Sequence, residues 1–93
     1  MMISITAILK SKKENIEQIQ SLLNHLVTET RKEAACARYD LHNSENVFII
    51  WEEWKDQEGL DIHNNQSHLK DFIAKSESLV AAPIQVYKTV QIL

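Results

Sequence analysis

The sequence predicts an α+β fold in which a four-stranded antiparallel sheet carries its helices on one face. Three observations predict it. Segments of period two alternate with segments of period 3.6 in the order β-α-β-β-α-β. A short polar cluster, His42-Asn43-Ser44-Glu45-Asn46, joins the middle two strands as a hairpin. Right-handed crossovers on either side of that hairpin then place the outer strands in the same sheet, the ferredoxin-like βαββαβ arrangement.

The first strand is read over residues 2–9, where Ile3, Ile5, Ala7 and Leu9 share a face and Met2 and Ile8 make the other face partly apolar. A polar break follows at Lys10-Ser11-Lys12-Lys13-Glu14-Asn15, in which Ser11 and Glu14 have the spacing of a capping box. The spacing of Ile16, Ile19, Leu22, Leu23, Leu26 and Val27 predicts an amphipathic helix over roughly 12–33. In the second strand, 36–42, Ala37, Tyr39 and Leu41 are expected on one face, with Cys36, Arg38, Asp40 and His42 on the other. In the third, 47–54, Phe48, Ile50, Glu52 and Trp54 oppose Val47, Ile49, Trp51 and Glu53. Both faces begin apolar, as a central strand requires. A short helix runs from Asp56 to His63, and Ser67 is placed to cap a second helix with Leu69, Phe72, Ile73, Ser76, Leu79 and Val80 as its stripe, ended by Pro83. Ile84, Val86, Val90 and Ile92 alternate along a last strand, 84–92.

The helices can cover only one side of such a sheet, and the other side still carries Val, Ile, Trp and Tyr. A second copy packed sheet to sheet, hiding on the order of 1,000–2,000 Å² in total, is the expected cover. The 93 residues leave room for one domain, 1–93, which buries only about 60–65% of its unfolded surface, so a lone subunit is marginal. Ten Lys and Arg against 13 Asp and Glu, a net charge of −3, speak against a dedicated nucleic-acid binder. The longest apolar run, Val47-Phe48-Ile49-Ile50-Trp51, is far short of the ~18 residues of a membrane span. The start, Met-Met-Ile-Ser-Ile-Thr, lacks a signal peptide's basic region. Cys36 is the one cysteine and cannot form an internal disulfide, so a reducing cytoplasm is expected. A single Gly and a single Pro argue against a Gly-rich phosphate loop and against disorder.

The segment Lys32-Glu33-Ala34-Ala35-Cys36-Ala37-Arg38-Tyr39-Asp40-Leu41 resembles the Glu-Pro-Gly-Cys-x-x-Tyr-x-Leu stretch of the antibiotic biosynthesis monooxygenase (ABM) domain family. Val47 to Asp56 is similar to that family's strand ending in Tyr-Glu-x-Trp. Leu60-Asp61-Ile62-His63 and Ser67-His68-Leu69-Lys70 are similar to its Leu-x-x-His and Ser-Pro-His helical region. The likeness runs through nearly the whole chain. It implies a dimeric α+β barrel with a pocket between helices and sheet. The implied chemistry is cofactor-independent oxygenation of a quinol or polyphenol by dioxygen, with no metal and no flavin. Ala34-Ala35 departs from the family's Pro-Gly, so a less sharp turn is expected there. The Asn–Trp–His set of the haem-degrading branch is not matched. The first strand has no Asn, His63 holds the place of its Trp, and its His would fall near Ile73, which disfavours haem chemistry.

By spacing alone His63 reads first as a helix-terminal surface residue; the resemblance reverses that order and makes it the candidate proton acceptor, since an imidazole titrates near working pH. Glu52, a carboxylate among apolar neighbours, could orient His63, act as base itself, or pair with a cation of the fold. Trp54, Tyr39 and Phe72 are candidates to line a wall for a flat substrate. His68 lies five positions from His63, off its helical face, but a break between the helices could bring both to one opening. With neither His-Glu-x-x-His nor a Cys cluster, no metal is expected. Trp51 is assigned to the dimer interface, Cys36 to an inert strand position. Two other readings stand beside the monooxygenase. One is a non-enzymatic dimeric module for small-molecule binding or stress response. The other is an isomerase of a small phosphorylated signal, which would need Arg38 or Lys70 at the pocket mouth.

Overall fold

The computed structural model describes residues 2–93. The chain forms β1 (Ile3–Lys10), α1 (Ile16–Thr30), β2 (Cys36–Ser44), β3 (Val47–Trp54), α2 (Gln57–Asn64), α3 (Ser67–Ser76) and β4 (Gln85–Thr89). The sheet order is β2-β3-β1-β4, and each neighbouring pair is antiparallel. This is the ferredoxin-like α+β topology expected from the alternation of periods. The core lies between the helices and the sheet face that bears Ile5, Leu9, Tyr39, Phe48, Ile50 and Trp54, and α1 adds Ile19, Leu23, Leu26 and Val27 to it. Among the described residues no helix is long and apolar enough to cross a membrane.

Several local expectations are corrected. Helix α1 is shorter than 12–33; a 3-10 turn, Lys13–Asn15, leads into it, and no side-chain cap forms. Ser11 is instead fully buried at a crossing point. Its N–H donates to the Asn46 carbonyl (2.8 Å), its own carbonyl accepts from Asn46 Nδ2 (2.9 Å), and it bridges to Val80. The crossing ties the end of β1 to the hairpin turn and to the chain after α3. In β2 the register slips between Cys36 and Arg38: Cys36 pairs with Trp54, and Arg38 with Glu53. The extra residue, Ala37, is exposed and Cys36 packs against the core, the reverse of strict alternation. The Ala34-Ala35 turn is tight without Pro-Gly, because Glu33 N–H donates to the Thr30 carbonyl and Cys36 N–H to that of Glu33 (3.1 Å). Ser67 is the first residue of α3 rather than its cap, and that helix ends well before Pro83. Strand β4 stops at Thr89, leaving Val90 and Ile92 exposed.

Helix α2 starts where Asp56 accepts a hydrogen bond from Gly59 N–H (2.8 Å), a side-chain N-cap. Gly59 presses against the turn before β2: a Cβ placed there would lie 2.2 Å from Ala35 Cβ. Gly59→Ala is therefore expected to destabilise by about 1–3 kcal/mol despite alanine's better helix propensity. Ala35→Gly in the same chain should restore much of the loss, read as coupled urea midpoints.

Candidate active site

Beneath the helices lies a cavity of about 510 Å³, within the usual range for small-molecule sites. Its walls are mostly aliphatic and aromatic, with Phe48, Phe72, Leu60 and Leu69 among them. Glu52, Tyr39 and His63 supply much of its polarity, while exposed Asn64, Ile73, Glu77 and Val86 mark the mouth. Ile73, expected in the buried stripe of α3, is thus a mouth residue. Among the described residues no Lys or Arg lines the cavity.

Each polar side chain arrives there for a local reason. The alternation of β3 sends Phe48, Ile50, Glu52 and Trp54 inward together. Leu60 and His63, three apart on α2, turn the same face to the sheet. The chain then breaks: Asn65 N–H donates to the Ile62 carbonyl and Gln66 N–H to that of His63, and α3 begins one residue later. The break directs His68 back toward His63, their ring centroids 6.1 Å apart.

His63 is almost wholly buried, tilted against Trp54 (centroids 4.5 Å apart, 32° between planes) and edge-on to Tyr39 (5.6 Å). Its Nδ1 lies 2.7 Å from Glu33 Oε2, and the same oxygen lies 2.9 Å from His68 Nε2. A carboxylate oxygen accepts, so both nitrogens donate to it, and the His63 tautomer is fixed with its proton on Nδ1. His63 Nε2, which has no partner among the described residues, is left as the lone-pair nitrogen of a ring that lines the cavity. Burial holds the His63 pKa below its ordinary value, with Glu33 opposing the shift.

Glu52 is not the hydrogen-bond partner of His63. Its Oε1 accepts from the indole Nε1–H of Trp54 (2.9 Å), two residues along the same strand face. Burial pushes the Glu52 carboxyl up to about 7; the Trp54 bond opposes this and the Glu33 charge adds to it. Tyr39 is pushed well above the phenol range, by burial first and the Glu52 charge second. Burial also raises the Cys36 thiol to about 11, reinforced by Glu33 and Glu52.

The Glu52 shift has a pH consequence. The folded carboxyl holds a proton that the unfolded chain, at 4.5, has released. Its contribution is neutral below pH 4.5, becomes a penalty that grows as pH rises from 4.5 to about 7, and is constant above that. Glu52→Gln is thus expected to gain about 3 kcal/mol over the parent at pH 8 and almost nothing at pH 4. Urea melts at the two pH values check this. His63 runs the other way, its contribution being lost as pH falls through its ordinary value.

Of the residues singled out in the sequence, His63, Glu52, Tyr39 and Phe72 meet at the cavity. Trp54 lies behind it, fully buried and in contact with both Glu52 and His63. His68 faces an outer groove between α1 and α3, beside His25 and Asp71. The carboxylate that holds His63 is Glu33, not Glu52. Its signal was present in the Glu33-Ala34-Ala35-Cys36 segment, where it occupies the place of the family's Glu.

A mostly apolar cavity with a carboxylate-held imidazole at its wall has the room for a small molecule and a group that can accept a proton from one. The antibiotic biosynthesis monooxygenase family profile matches residues 2–75, and the chain belongs to that family. It is 37% identical over 91 residues to "Putative monooxygenase YcnE" of Bacillus subtilis (strain 168), covering 95% of this chain and 96% of that protein. Rv0793 from Mycobacterium tuberculosis shares the fold, with a TM-score of 0.93 at 22% identity over 99% of this chain and 96% of that one. A crystal structure described as an antibiotic biosynthesis monooxygenase superposes with a TM-score of 0.92 at 26% identity, covering 98% of this chain and 99% of that one.

Proposed function

We propose that the protein oxygenates an electron-rich phenol or quinol with dioxygen, using neither metal nor flavin, and that His63 is the base. The observation that carries this is the His63–Glu33 pair, which leaves Nε2 as the lone-pair nitrogen of an imidazole at the wall of a mostly apolar cavity. His63 takes the phenolic proton. The anion passes an electron to dioxygen, the two radicals join as a peroxide anion at a ring carbon, and the proton held by His63 returns to make it a hydroperoxide. Loss of that carbon's proton and cleavage of the O–O bond give a carbonyl and water. One oxygen atom stays on the product, the other leaves as water, and the substrate supplies every electron. Glu52, with a pKa near 7, can hold the proton that the departing oxygen needs. Tyr39 and Phe72 flank the ring, and the apolar walls keep bulk water from the intermediates.

The absence of Lys and Arg from the lining disfavours the phosphorylated-signal isomerase. Arg38 pairs with Asp40 and Glu53 and lies over the Trp51 ring on the opposite face of the sheet. Lys70 is exposed at an outer groove. The test is oxygen uptake with a reduced polycyclic quinol in chelator-treated, flavin-free buffer. Stoichiometric uptake with formation of the carbonyl product supports the reading. A ligand that raises the melting temperature with no oxygen uptake supports a binding module instead.

The same proposal includes a homodimer through the open sheet face. A row crosses that face from Asp40 through Trp51 and Thr6 to Tyr87, with Trp51 53% and Tyr87 49% exposed. Half-buried Ile8 and Ile49 form the next row. Trp51→Lys is expected to shift sedimentation from dimer toward monomer with the cavity-side fold retained; an unchanged profile would remove this face from the interface.

A further inference from the structure

We propose that Glu33, His63 and His68 form a binding site for a divalent cation of the zinc class. The three side chains come from three separate segments, the turn after α1, helix α2 and helix α3. One donor atom from each, a carboxylate oxygen and two imidazole nitrogens, falls within 4.8 Å of the others. Two imidazoles and a carboxylate are a zinc donor set. The second observation is on Glu33 itself. Its side chain is 8% exposed, and while Oε2 accepts from both histidines, Oε1 is buried with no hydrogen-bond partner among the described residues. A buried carboxylate oxygen with no donor is costly, and a cation beside it would satisfy it.

The present contacts, 2.7 and 2.9 Å, are hydrogen-bond lengths. Donors about 2.0–2.2 Å from a tetrahedral ion stand roughly 3.3 Å apart, so entry of the cation spreads these contacts by about half an ångström. His68, 15% exposed on the outer groove, provides the way in and room for a water as fourth ligand. The site therefore fills from the side away from the cavity.

Coordination has a defined effect on His63. A neutral imidazole that binds metal through Nδ1 carries its proton on Nε2. Nε2 changes from acceptor to donor and no longer takes a proton. On the reading of His63 as base, the cation is an inhibitor; binding itself does not depend on that reading.

The test is titration of the full chain, freed of metal, with Zn²⁺ against a chromophoric chelator, and with Co²⁺ followed by visible absorption. One Zn²⁺ per chain, a raised melting temperature and the d–d bands of four-coordinate Co²⁺ are expected. Glu33→Gln and His68→Ala should each weaken Zn²⁺ by roughly tenfold or more, whereas His25→Ala, on the same groove, should not. His68, partly exposed, serves as the variant that leaves the fold intact. Absence of saturable uptake, uptake retained in both ligand variants, or uptake lost in His25→Ala would overturn the site. If Zn²⁺ binds as expected while oxygen uptake is unaffected, the cation site stands and the role of His63 as base falls.

Discussion

His63→Ala is expected to lower turnover about 10²–10⁴-fold, the range that a positioned general base supplies. The loss should fall mainly on kcat, because the cavity walls, Tyr39 and Phe72 among them, remain. The substitution also removes the partner of a buried carboxylate and opens a gap beside Trp54. Some loss of stability is expected too, so activity must be compared at a temperature where circular dichroism shows both proteins folded. Imidazole added to the variant should restore part of the rate. Restoration separates the missing base from a collapsed site. Glu33→Gln is the companion: Nδ1 keeps a neutral partner but loses a charged one, so the rate should fall less and the pH profile should move. Full turnover in His63→Ala would assign the proton to another group, with Glu52 the first to examine.

Trp54→Ala should have the largest effect on stability. Its side chain is fully buried, stacked on His63 and edge-on to Tyr39. Truncating a core tryptophan costs about 3–5 kcal/mol. The indole N–H is also the donor that holds Glu52 Oε1, and leaving that oxygen bare adds about 1–3 kcal/mol. The sum approaches the whole stability of a small domain, about 5–15 kcal/mol. A melting temperature lower by roughly 20 °C or more, or a chain unfolded at 37 °C, is expected. Trp54→Phe divides the two contributions, since it keeps much of the packing and deletes only the donor. The penalty of the missing donor should be smaller at pH 5, where Glu52 is protonated, than at pH 8.

The strands, the helices and the sheet order were legible because each rests on a local period. Phe48, Ile50, Glu52 and Trp54 share a face by alternation alone, and the hairpin follows from five polar residues. What escaped was set by contacts distant in sequence. The slip at Ala37 gives no local signal, since its neighbours alternate plausibly in either register. Ser11 has the spacing of a helix cap, yet its bonds to Asn46, 35 positions on, and the bridge that Lys10 and Lys12 make around it to Ala81 and Leu79 outbid its own helix. At the site, period two brought Glu52 to the right face and so made it the natural partner for His63. The partner is Glu33, 30 positions away in a turn that no periodicity describes. His68 was recognised as able to approach His63 only through a break in the helix. The break exists, but it leads to the shared carboxylate and the outer groove rather than to the cavity.

Cys36 sits beside both acids of this centre, and with a pKa of about 11 it stays a thiol at neutral pH. Thiols react with peroxides through their thiolate. Burial first, and then the charges of Glu33 and Glu52, therefore suppress the thiolate of the one cysteine in the chain. On the proposed reaction, that arrangement keeps Cys36 from consuming the hydroperoxide intermediate.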